Sequence, residues 1–467
     1  MNGRRVEGAI SVHPSFRGII STQASLYNLQ CREDKQDRMT YPSPSTGQRA
    51  GISFMQPKSA ADLVKRRTAF YEWANIHQGF MGRSPDYMNT FLMIMAAASE
   101  LFAEGDPRFG DNVKNYYGYC RENDVTLTHT FLRPQYDRSS QYDPSEGGSA
   151  ARITGRSSEG LIVSGSFIIA TQGGITDEIV VFPTPCPQMD REDNPFAFAF
   201  AVPANTNGLK FICRDAYDRG EESGDNPLAS RFDEPDALVV MEEVVVPWNR
   251  VFVDGNAALM NRLFAESNFY THAGHQIVMR QIVKAEFCLG LTQLLVDTLN
   301  IDEYLHVQDK LSELIVALET MKALLAASEA EAEPDRWGTM MPDPAFISTA
   351  VTYFPRVFPR ITEIVQLIGA SGLIMIPTRK DFESTLSHDL ERHLCTSTVT
   401  AERRSSYFRL AWDMTMSAFG TRQTLYERFF FGDPARTGAR LYCSYDSSKC
   451  VDRVVDFMNR INTRISS

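Results

Sequence analysis

Residues 160–182 read GLIVSGSFIIATQGGITDEIVVF, and this stretch decides the fold class. Two short apolar runs flank a turn sequence rich in Gln and Gly, a pattern typical of β-strands joined by a loop. Further apolar runs follow, FAFAFAVP at 196–203 and ALVVMEEVVVPWNRVFV at 237–253 among them. No helical periodicity separates these runs. The pattern therefore predicts an antiparallel barrel or sandwich over residues 125–260.

Upstream of this segment, residues 58–123 have a helical pattern. Residues 86–102, DYMNTFLMIMAAASELF, combine good helix formers with high apolarity, which predicts a buried helix. Ser84 and Pro85 precede it, and these residue types favour an N-cap and a first helical position. We therefore expect a helix that begins near Pro85.

Downstream of residue 261 the helical period returns. One long helix is indicated by apolar residues at i, i+3, i+4 and i+7 spacing: Leu311, Leu314, Ile315, Leu318, Met321 and Leu325. Other long helical segments are predicted at 274–299, 345–370 and 397–430, enough for a four-helix bundle. We predict an α+β fold with a helical domain at 1–124, an antiparallel β-barrel domain at 125–260 and a helical bundle at 261–467.

Composition excludes several classes of function. The chain has 467 residues, with 47 Lys and Arg against 58 Asp and Glu, so its net charge is −11. An acidic chain without a basic run is a poor nucleic-acid binder. No apolar run approaches the roughly 18 residues of a membrane span, and the N-terminus lacks the apolar region of a secretory signal. We expect a cytoplasmic protein that binds neither nucleic acid nor membrane.

Metal and nucleotide motifs are also missing from the sequence. The eight cysteines are scattered, without a CxxC pair, so zinc and iron–sulfur sites find no support. His272, His275 and Gln276 lie close together but without HExxH or flanking acidic residues, which favours a packing or hydrogen-bonding role over a metal site. Neither GxGxxG after a strand nor a P-loop motif occurs, so no Rossmann or P-loop nucleotide site is indicated.

The first candidate for chemistry is GRSPDY at residues 82–87. Arg83 precedes the predicted helix N-terminus and Tyr87 falls in its first turn. Free N–H groups, the positive end of the helix dipole and a guanidinium together suit an anionic oxygen. An ordinary helix cap with a surface arginine explains the same pattern.

The second candidate is His129, which shares one face of a predicted strand with Leu127 and Phe131. It can serve a bound hydroxyl as hydrogen-bond partner or base. A core histidine with one hydrogen bond is the alternative.

Two small-residue loops are further candidates. ATQGG at 170–174 can approach a ligand or form a plain hairpin. Gly369–Gly372 and Ser417–Arg422 can hold a pyrophosphate or allow close helix packing. Packing is the commoner explanation.

These motifs, in this order, resemble the large component of 4-hydroxyphenylacetate 3-monooxygenase. The resemblance extends from about His13 to Asp456. It is carried by HPSFRGII, MGRSPDYMN, THTFLRPQYDR, ATQGG, NPLASRFDE, VPWNRVF, HVQDKLSELIVALE, QLIGASG and LAWDMTMSAFGTRQTLYERFFFGDP. The family has the acyl-CoA dehydrogenase fold, an α-domain, a β-domain and a four-helix bundle, and its members are homotetramers.

The resemblance implies residue roles. Arg83, Tyr87 and His129 match the residues that hold the phenol hydroxyl, and Thr184 and Pro185 fall at the far end of the substrate. Flavin contacts are implied for His129, Thr130, Phe131, Gln135, Tyr136, Asp137, Arg138, Thr171, Ala418, Phe419, Gly420 and Thr421, the last four being matched across a subunit boundary. Thr184-Pro185 replaces a Ser-Thr pair of some relatives, and the ATQGG loop is longer than in some. Both differences leave the exact phenol open.

The resemblance also implies the reaction. A separate NAD(P)H:flavin reductase supplies FADH2 by diffusion, oxygen forms a flavin C4a-hydroperoxide, and a para-substituted phenol is hydroxylated beside its hydroxyl to a catechol. FAD and molecular oxygen are the implied cofactors, although FMN is not distinguished from FAD. A 4-hydroxybutyryl-CoA dehydratase would need cysteines near the substrate helix, and residues 76–83, IHQGFMGR, contain none. An acyl-CoA dehydrogenase-like flavoenzyme and a non-catalytic flavin carrier remain alternatives.

Overall fold

The fold is taken from a computed structural model, which describes residues 1–134, 149–184, 193–218 and 224–465. Five predicted site residues therefore lie outside the described part of the chain: Gln135, Tyr136, Asp137, Arg138 and Pro185.

The first quarter of the chain is mainly helical, and the helical pattern predicted for residues 58–123 is confirmed. Its helices are α1 (Arg17–Cys31), α2 (Gln36–Met39), α3 (Ala60–His77), α4 (Pro85–Ala97), α5 (Ser99–Ala103) and α6 (Pro107–Asn123). Strands β1 (Thr40–Pro42) and β2 (Arg49–Gly51) form a small antiparallel hairpin. The sequence pattern did not predict α1, α2 or this hairpin.

Eight strands follow within the described residues, with one short α-helix, α7 (Ala229–Phe232), and a 3-10 turn at Trp248–Arg250 among them. They are β3 (Leu127–Thr130), β4 (Arg152–Arg156), β5 (Gly160–Thr171), β6 (Glu178–Val181), β7 (Phe198–Pro203), β8 (Leu209–Cys213), β9 (Asp236–Pro247) and β10 (Val251–Asp254). One sheet has the order β10-β7-β6-β3 and the other β4-β5-β9-β8.

The expected closed antiparallel barrel is not confirmed. Neither four-stranded sheet closes on itself within the described residues. Strand β3 also pairs parallel to β6, with Leu127 opposite Glu178. Parallel neighbours need a long connection, and here the chain passes through β4 and β5 in the other sheet before β6 begins. Alternating apolar residues identify strands but not their neighbours.

The last part of the chain is again helical. Its helices are α8 (Ala257–Glu266), α9 (Phe269–Leu299), α10 (Leu305–Ala330), α11 (Pro344–Gly369), α12 (Arg379–Phe382), α13 (Ser387–Leu394), α14 (Ala401–Thr415), α15 (Ala418–Phe429), α16 (Pro434–Ser444) and α17 (Ser448–Ile465). Strands β11 (Glu333–Pro334) and β12 (Met340–Met341) pair between α10 and α11. Helices α9, α10, α11 and α14 pack against one another as a bundle.

The prediction of one helical segment at 397–430 is wrong in one respect, because the structure has two helices there. Helix α14 ends at Thr415 and α15 begins at Ala418. Ser417 caps α15, since its hydroxyl accepts a hydrogen bond from the Gly420 N–H at 3.0 Å. A serine at this position is a preferred N-cap and favours the start of a new helix.

Two hydrophobic cores hold these elements together. The first joins α4, α5 and α6 with both large sheets, and the second joins α1 and α3 with the C-terminal bundle. The N-terminal helices are therefore divided between the two cores. Among the described helices, none combines the length and the apolar character that a membrane span requires.

Buried histidines predict how stability depends on pH. His77 is buried, and burial, followed by the charges of Arg280 and Lys284, lowers its pKa to about 3. In the unfolded chain its pKa returns to about 6.5. Between pH 6.5 and pH 3, therefore, His77 is mostly protonated in the unfolded state and mostly neutral in the folded state. Stability is therefore lost as the pH falls below about 6.5, by about 2 kcal/mol at pH 5 from this residue alone.

The measurement compares denaturant unfolding at pH 7 and pH 5 for the wild type and His77→Gln. The variant should lose less stability between the two pH values. An equal loss in both proteins would mean that His77 does not contribute to the acid sensitivity.

Candidate active site

The approach to helix α4 is fixed by a residue far away in sequence. Ser84 occupies the N-cap and Pro85 the first turn, as predicted, but the Ser84 side chain makes no capping hydrogen bond. Instead, the backbone N–H groups of Gly82 and Arg83 donate to the Glu234 carboxylate at 2.9 and 2.7 Å. A buried carboxylate two residues before strand β9 thus anchors the turn that carries Arg83.

The Arg83 guanidinium lies among aromatic rings. Its Cζ is 4.5 Å from the ring centroids of both Tyr87 and Phe430 and 5.7 Å from that of Tyr426. The side chain is buried, and its Nη1 donates only to the Gly82 carbonyl, at 3.2 Å. No Asp or Glu in the described part of the chain forms an ion pair with it. Because burying a cation without an anion is costly, this charge is available to an anionic oxygen.

His129 lies beside this arginine on strand β3. Its ring centroid is 5.5 Å from that of Tyr87, and it stacks on Phe131 and Phe182 at 5.6 and 5.8 Å, with interplanar angles of 3° and 2°. Its Nδ1 has no hydrogen-bond partner among the described residues. Burial, followed by the Arg83 charge, holds the pKa of His129 well below its usual range. The imidazole is therefore neutral at pH 7, and its Nδ1 is available for a hydrogen bond to a bound hydroxyl.

Tyr87 completes the group. Burial raises the pKa of its hydroxyl, while the Arg83 charge opposes the rise. Tyr87 is therefore a neutral hydrogen-bond donor at pH 7. The structure brings Arg83, Tyr87 and His129 together, as the sequence reading predicted.

A small apolar pocket shares Phe182 with the ring stack of His129, and its lining includes none of Arg83, Tyr87 and His129. Its volume is about 20 Å³, and it is lined by Phe91, Ile94, Met95, Phe102, Phe182, Thr184, Ala199, Met260, Leu263, Phe264 and Ser267. Phe182 belongs both to this lining and to the ring stack of His129. Thr184, predicted at the far end of the substrate, lies in the lining.

Comparison with known proteins decides the family. The family model described as 4-hydroxyphenylacetate 3-hydroxylase N terminal matches residues 1–253, and its C-terminal counterpart matches residues 260–459. The chain belongs to the 4-hydroxyphenylacetate 3-hydroxylase family. Together the two matches span the N-terminal helices, both large sheets and the C-terminal helices.

Individual relatives of this family are similar over almost the whole chain. The 4-hydroxyphenylacetate 3-monooxygenase oxygenase component of Geobacillus sp. (strain PA-9) is 47% identical over 98% of this chain and 92% of its own. A crystal structure of such an oxygenase component in complex with FAD and 4-hydroxyphenylacetate has a TM-score of 0.90 at 40% identity. That match covers 97% of this chain and 94% of the other.

A more distant structure shares the fold alone. An archaeal 4-hydroxybutyryl-CoA dehydratase from N. maritimus has a TM-score of 0.85 at 19% identity, covering 98% of this chain and 91% of the other. This likeness gives no support for dehydratase chemistry. In the described part of the chain, no cluster of three or more His, Cys, Asp or Glu side chains could hold a metal.

His272 and His275 form hydrogen bonds, one of the two roles that the sequence analysis favoured over metal binding. His275 lies 2.8 Å from the Glu329 carboxylate, and His272 lies 3.3 Å from the Thr339 hydroxyl.

The sequence reading missed the acidic residues that join its separate motifs. Asp236 accepts two hydrogen bonds from Arg422, both at 2.6 Å, and one from the Thr171 hydroxyl at 2.9 Å. Thr171 and helix α15, both predicted to contact flavin in this family, therefore meet at one carboxylate. The available signal was the run DEPD at 233–236, where acidic residues directly precede an apolar strand.

The turn Ala418–Thr421, which was predicted to contact flavin, does not line the apolar pocket of its own chain. Ala418 and Phe419 line a cleft with Arg409 and Trp412, not the apolar pocket. Phe419 is buried, its ring centroid 6.1 Å from that of Phe80, whereas Thr421 is exposed. The flavin contact of this turn remains a prediction.

Small residues in the candidate loops serve packing. A Cβ on Gly420 would lie 2.5 Å from the Met414 carbonyl, and one on Gly372 would lie 2.3 Å from the Phe408 ring. A Cβ on Gly173 of the ATQGG loop would lie 2.6 Å from the Phe211 ring. The packing explanation therefore holds for Gly420 and Gly372. The plain hairpin considered for ATQGG is wrong, because the strands on either side of this loop, β5 and β6, lie in different sheets. On strand β3, the Thr130 hydroxyl donates to the Ile169 carbonyl at 2.7 Å.

Proposed function

We propose that this chain is the oxygenase component of a two-component, FADH2-dependent monooxygenase that hydroxylates a para-substituted phenol, such as 4-hydroxyphenylacetate, to a catechol. The observation that carries the proposal is the buried Arg83 cation, without a carboxylate partner among the described residues, which shares the Tyr87 ring with the neutral His129. The names of the relatives and the FAD and 4-hydroxyphenylacetate complex of the neighbour support it.

The residues act on the phenol hydroxyl. In the proposed pose His129 accepts the hydroxyl proton, and Arg83 stabilises the resulting phenolate. Tyr87 donates a hydrogen bond to the same oxygen. Deprotonation pushes electron density onto the ring carbon beside the hydroxyl, which is the carbon that receives oxygen. The balanced reaction converts phenol, O₂ and FADH2 into catechol, water and FAD.

The residues fit a flavin ring beside the phenol. His129, Phe131 and Phe182 present parallel rings, and the apolar pocket excludes water from the reacting atoms. When bound, reduced FAD supplies two electrons and activates O₂. His129, Thr130, Phe131 and Thr171 would hold it on the β side. The turn Ala418–Thr421 would hold it on the helical side, and the predicted contacts at 135–138 lie outside the described residues.

The proposal extends to partners and assembly. A separate NAD(P)H:flavin reductase supplies reduced flavin by diffusion, and the chain works in the cytoplasm as a homotetramer. Helix α17 supports assembly because it exposes an apolar face, with Val451, Val454 and Phe457 being 55%, 62% and 62% exposed. We also propose that the chain has three domains, with boundaries at residues 124 and 260. They would correspond to the α-domain, β-domain and helical bundle of the acyl-CoA dehydrogenase fold.

The test combines two assays of the purified chain. Alone, it should not oxidise NADH, since it has no pyridine-nucleotide motif. With an added flavin reductase and a panel of para-substituted phenols, mass spectrometry should detect a catechol from at least one phenol. Robust NADH oxidation by the isolated chain, or hydrogen peroxide as the sole product across the panel, would contradict the proposal.

A further inference from the structure

Glu234 holds the main chain on both sides of Arg83. Its side chain is fully buried, and one oxygen, Oε1, accepts from the Arg83 N–H at 2.7 Å and from Gln172 Nε2 at 2.9 Å. The other oxygen, Oε2, accepts from the Gly82 N–H at 2.9 Å. Gln172 Nε2 also donates to the Arg83 carbonyl at 3.1 Å. The carboxylate and the amide therefore fix both the N–H and the carbonyl of Arg83.

This arrangement leaves the Arg83 side chain free. Glu234 forms no ion pair with the Arg83 guanidinium, and the cation nearest to it in the described part of the chain is Arg422, whose Nη1 is 3.7 Å from Oε2. Arg422 is itself held by two hydrogen bonds to Asp236. The Glu234 carboxylate thus accepts hydrogen bonds from backbone and amide N–H groups, and the Arg83 guanidinium remains available to bind another anion.

The opposite side of the same turn is closed by an aromatic ring. A Cβ on Gly82 would lie 2.2 Å from Cε1 of Tyr426, so the Gly82 backbone packs directly on this ring. Tyr426 and Phe430, on α15 and directly after it, both lie near the Arg83 guanidinium. The turn is therefore confined between Glu234 and the rings that surround Arg83.

We propose that Glu234 is a positioning residue for the reaction: it holds the main chain of Gly82–Arg83 so that the Arg83 guanidinium stays beside His129 at the phenol hydroxyl. The inference rests on the function proposed above. It concerns a residue that need not touch phenol or flavin, because its polar contacts are with the turn that carries Arg83, with Gln172 and with Arg422.

A matched control separates positioning from general stability. Asp335 also carries a carboxylate with a side chain only 3% exposed, and it accepts backbone N–H groups, those of Trp337 and Thr339, both at 2.9 Å. Its side-chain partners are Asn268, His272 and the Thr339 hydroxyl, not the Arg83 turn. Asp335→Asn therefore removes a comparable buried charge without moving Arg83.

The experiment follows a coloured phenol, 4-nitrophenol, bound to the purified full chain. Its absorbance reports whether it is bound as phenol or phenolate. The Arg83 charge should favour the phenolate, so the wild type should lower the pKa of the bound probe. Glu234→Gln keeps the size but replaces one acceptor oxygen by a donor. It should weaken probe binding and lower the bound phenolate-to-phenol ratio by about tenfold each.

Three comparisons complete the test. Asp335→Asn should leave probe ionisation unchanged, and Glu234→Gln should have less than about a twofold further effect in an Arg83→Ala background, because residues that act through one another are non-additive. If Glu234→Gln does not fold, Gln172→Met removes the other half of the clamp and should shift the probe in the same direction.

Wild-type ionisation of the probe in Glu234→Gln, or an undiminished effect of that substitution in the Arg83→Ala background, would overturn the positioning role. Suppose that the ionisation of the bound probe depends on Glu234 only when Arg83 is present, but the wild type hydroxylates no phenol. This result would uphold the positioning role and refute the proposed reaction. If the wild type forms a catechol but Glu234→Gln leaves the ionisation of the bound probe unchanged, the proposed reaction stands and the positioning role of Glu234 is refuted.

Discussion

Arg83→Ala is expected to lower the rate of catechol formation by about 10³-fold, the upper end of the loss seen when one oxyanion-stabilising group is removed. The guanidinium is buried among three aromatic rings, where a charge acts more strongly on a nearby anion than it does in water. The measurement is the rate of catechol formation with excess flavin reductase, together with a thermal unfolding curve for each protein.

Arg83→Lys is the matched variant for this prediction. It keeps a positive charge but loses the planar fork, so it should recover part of the lost activity. A folded Arg83→Ala protein within about tenfold of the wild-type rate would show that Arg83 is not the group that stabilises the phenolate.

His129→Ala is expected to separate flavin oxidation from hydroxylation. The lost proton acceptor should slow oxygen transfer to the ring by about 10²–10⁴-fold, while reduced flavin continues to react with oxygen. Electrons from the flavin should then appear as hydrogen peroxide. The measurement is the amount of catechol and of hydrogen peroxide formed per flavin oxidised.

A second substitution controls for packing, because His129 also stacks on Phe131 and Phe182. His129→Phe keeps an aromatic ring in the stack but removes the proton acceptor, so it should be as uncoupled as His129→Ala. Catechol yields like those of the wild type in both variants would identify His129 as a core residue without a role in the reaction.

The parts of the site that depend on local sequence could be predicted. Ser84 and Pro85 marked the start of α4, and the structure begins this helix at Pro85. Helix α9 was predicted from residue 274 but begins at Phe269, directly after Asn268 in a left-handed conformation with φ of 60°. Helix ends depend on such single residues, and a periodic pattern locates them only approximately.

The parts that depend on distant contacts could not be predicted. The parallel pairing of β3 with β6 joins residues 127–130 to residues 178–181, and strand periodicity does not encode the neighbour. Glu234 lies 152 positions from Gly82, so nothing in the spacing connects it to Arg83. The roles of Arg83, Tyr87 and His129 came from a family resemblance, and their shared location required the folded chain.

The central claim is that this chain transfers an atom of molecular oxygen to a phenol. The most direct measurement is a single turnover of the purified chain with chemically reduced FAD, ¹⁸O₂ and para-substituted phenols, with the products analysed by mass spectrometry. The predicted result is a catechol that carries one atom of ¹⁸O and is not formed when the protein is omitted. The contradictory result is complete oxidation of the flavin to give hydrogen peroxide, with no ¹⁸O in any phenol.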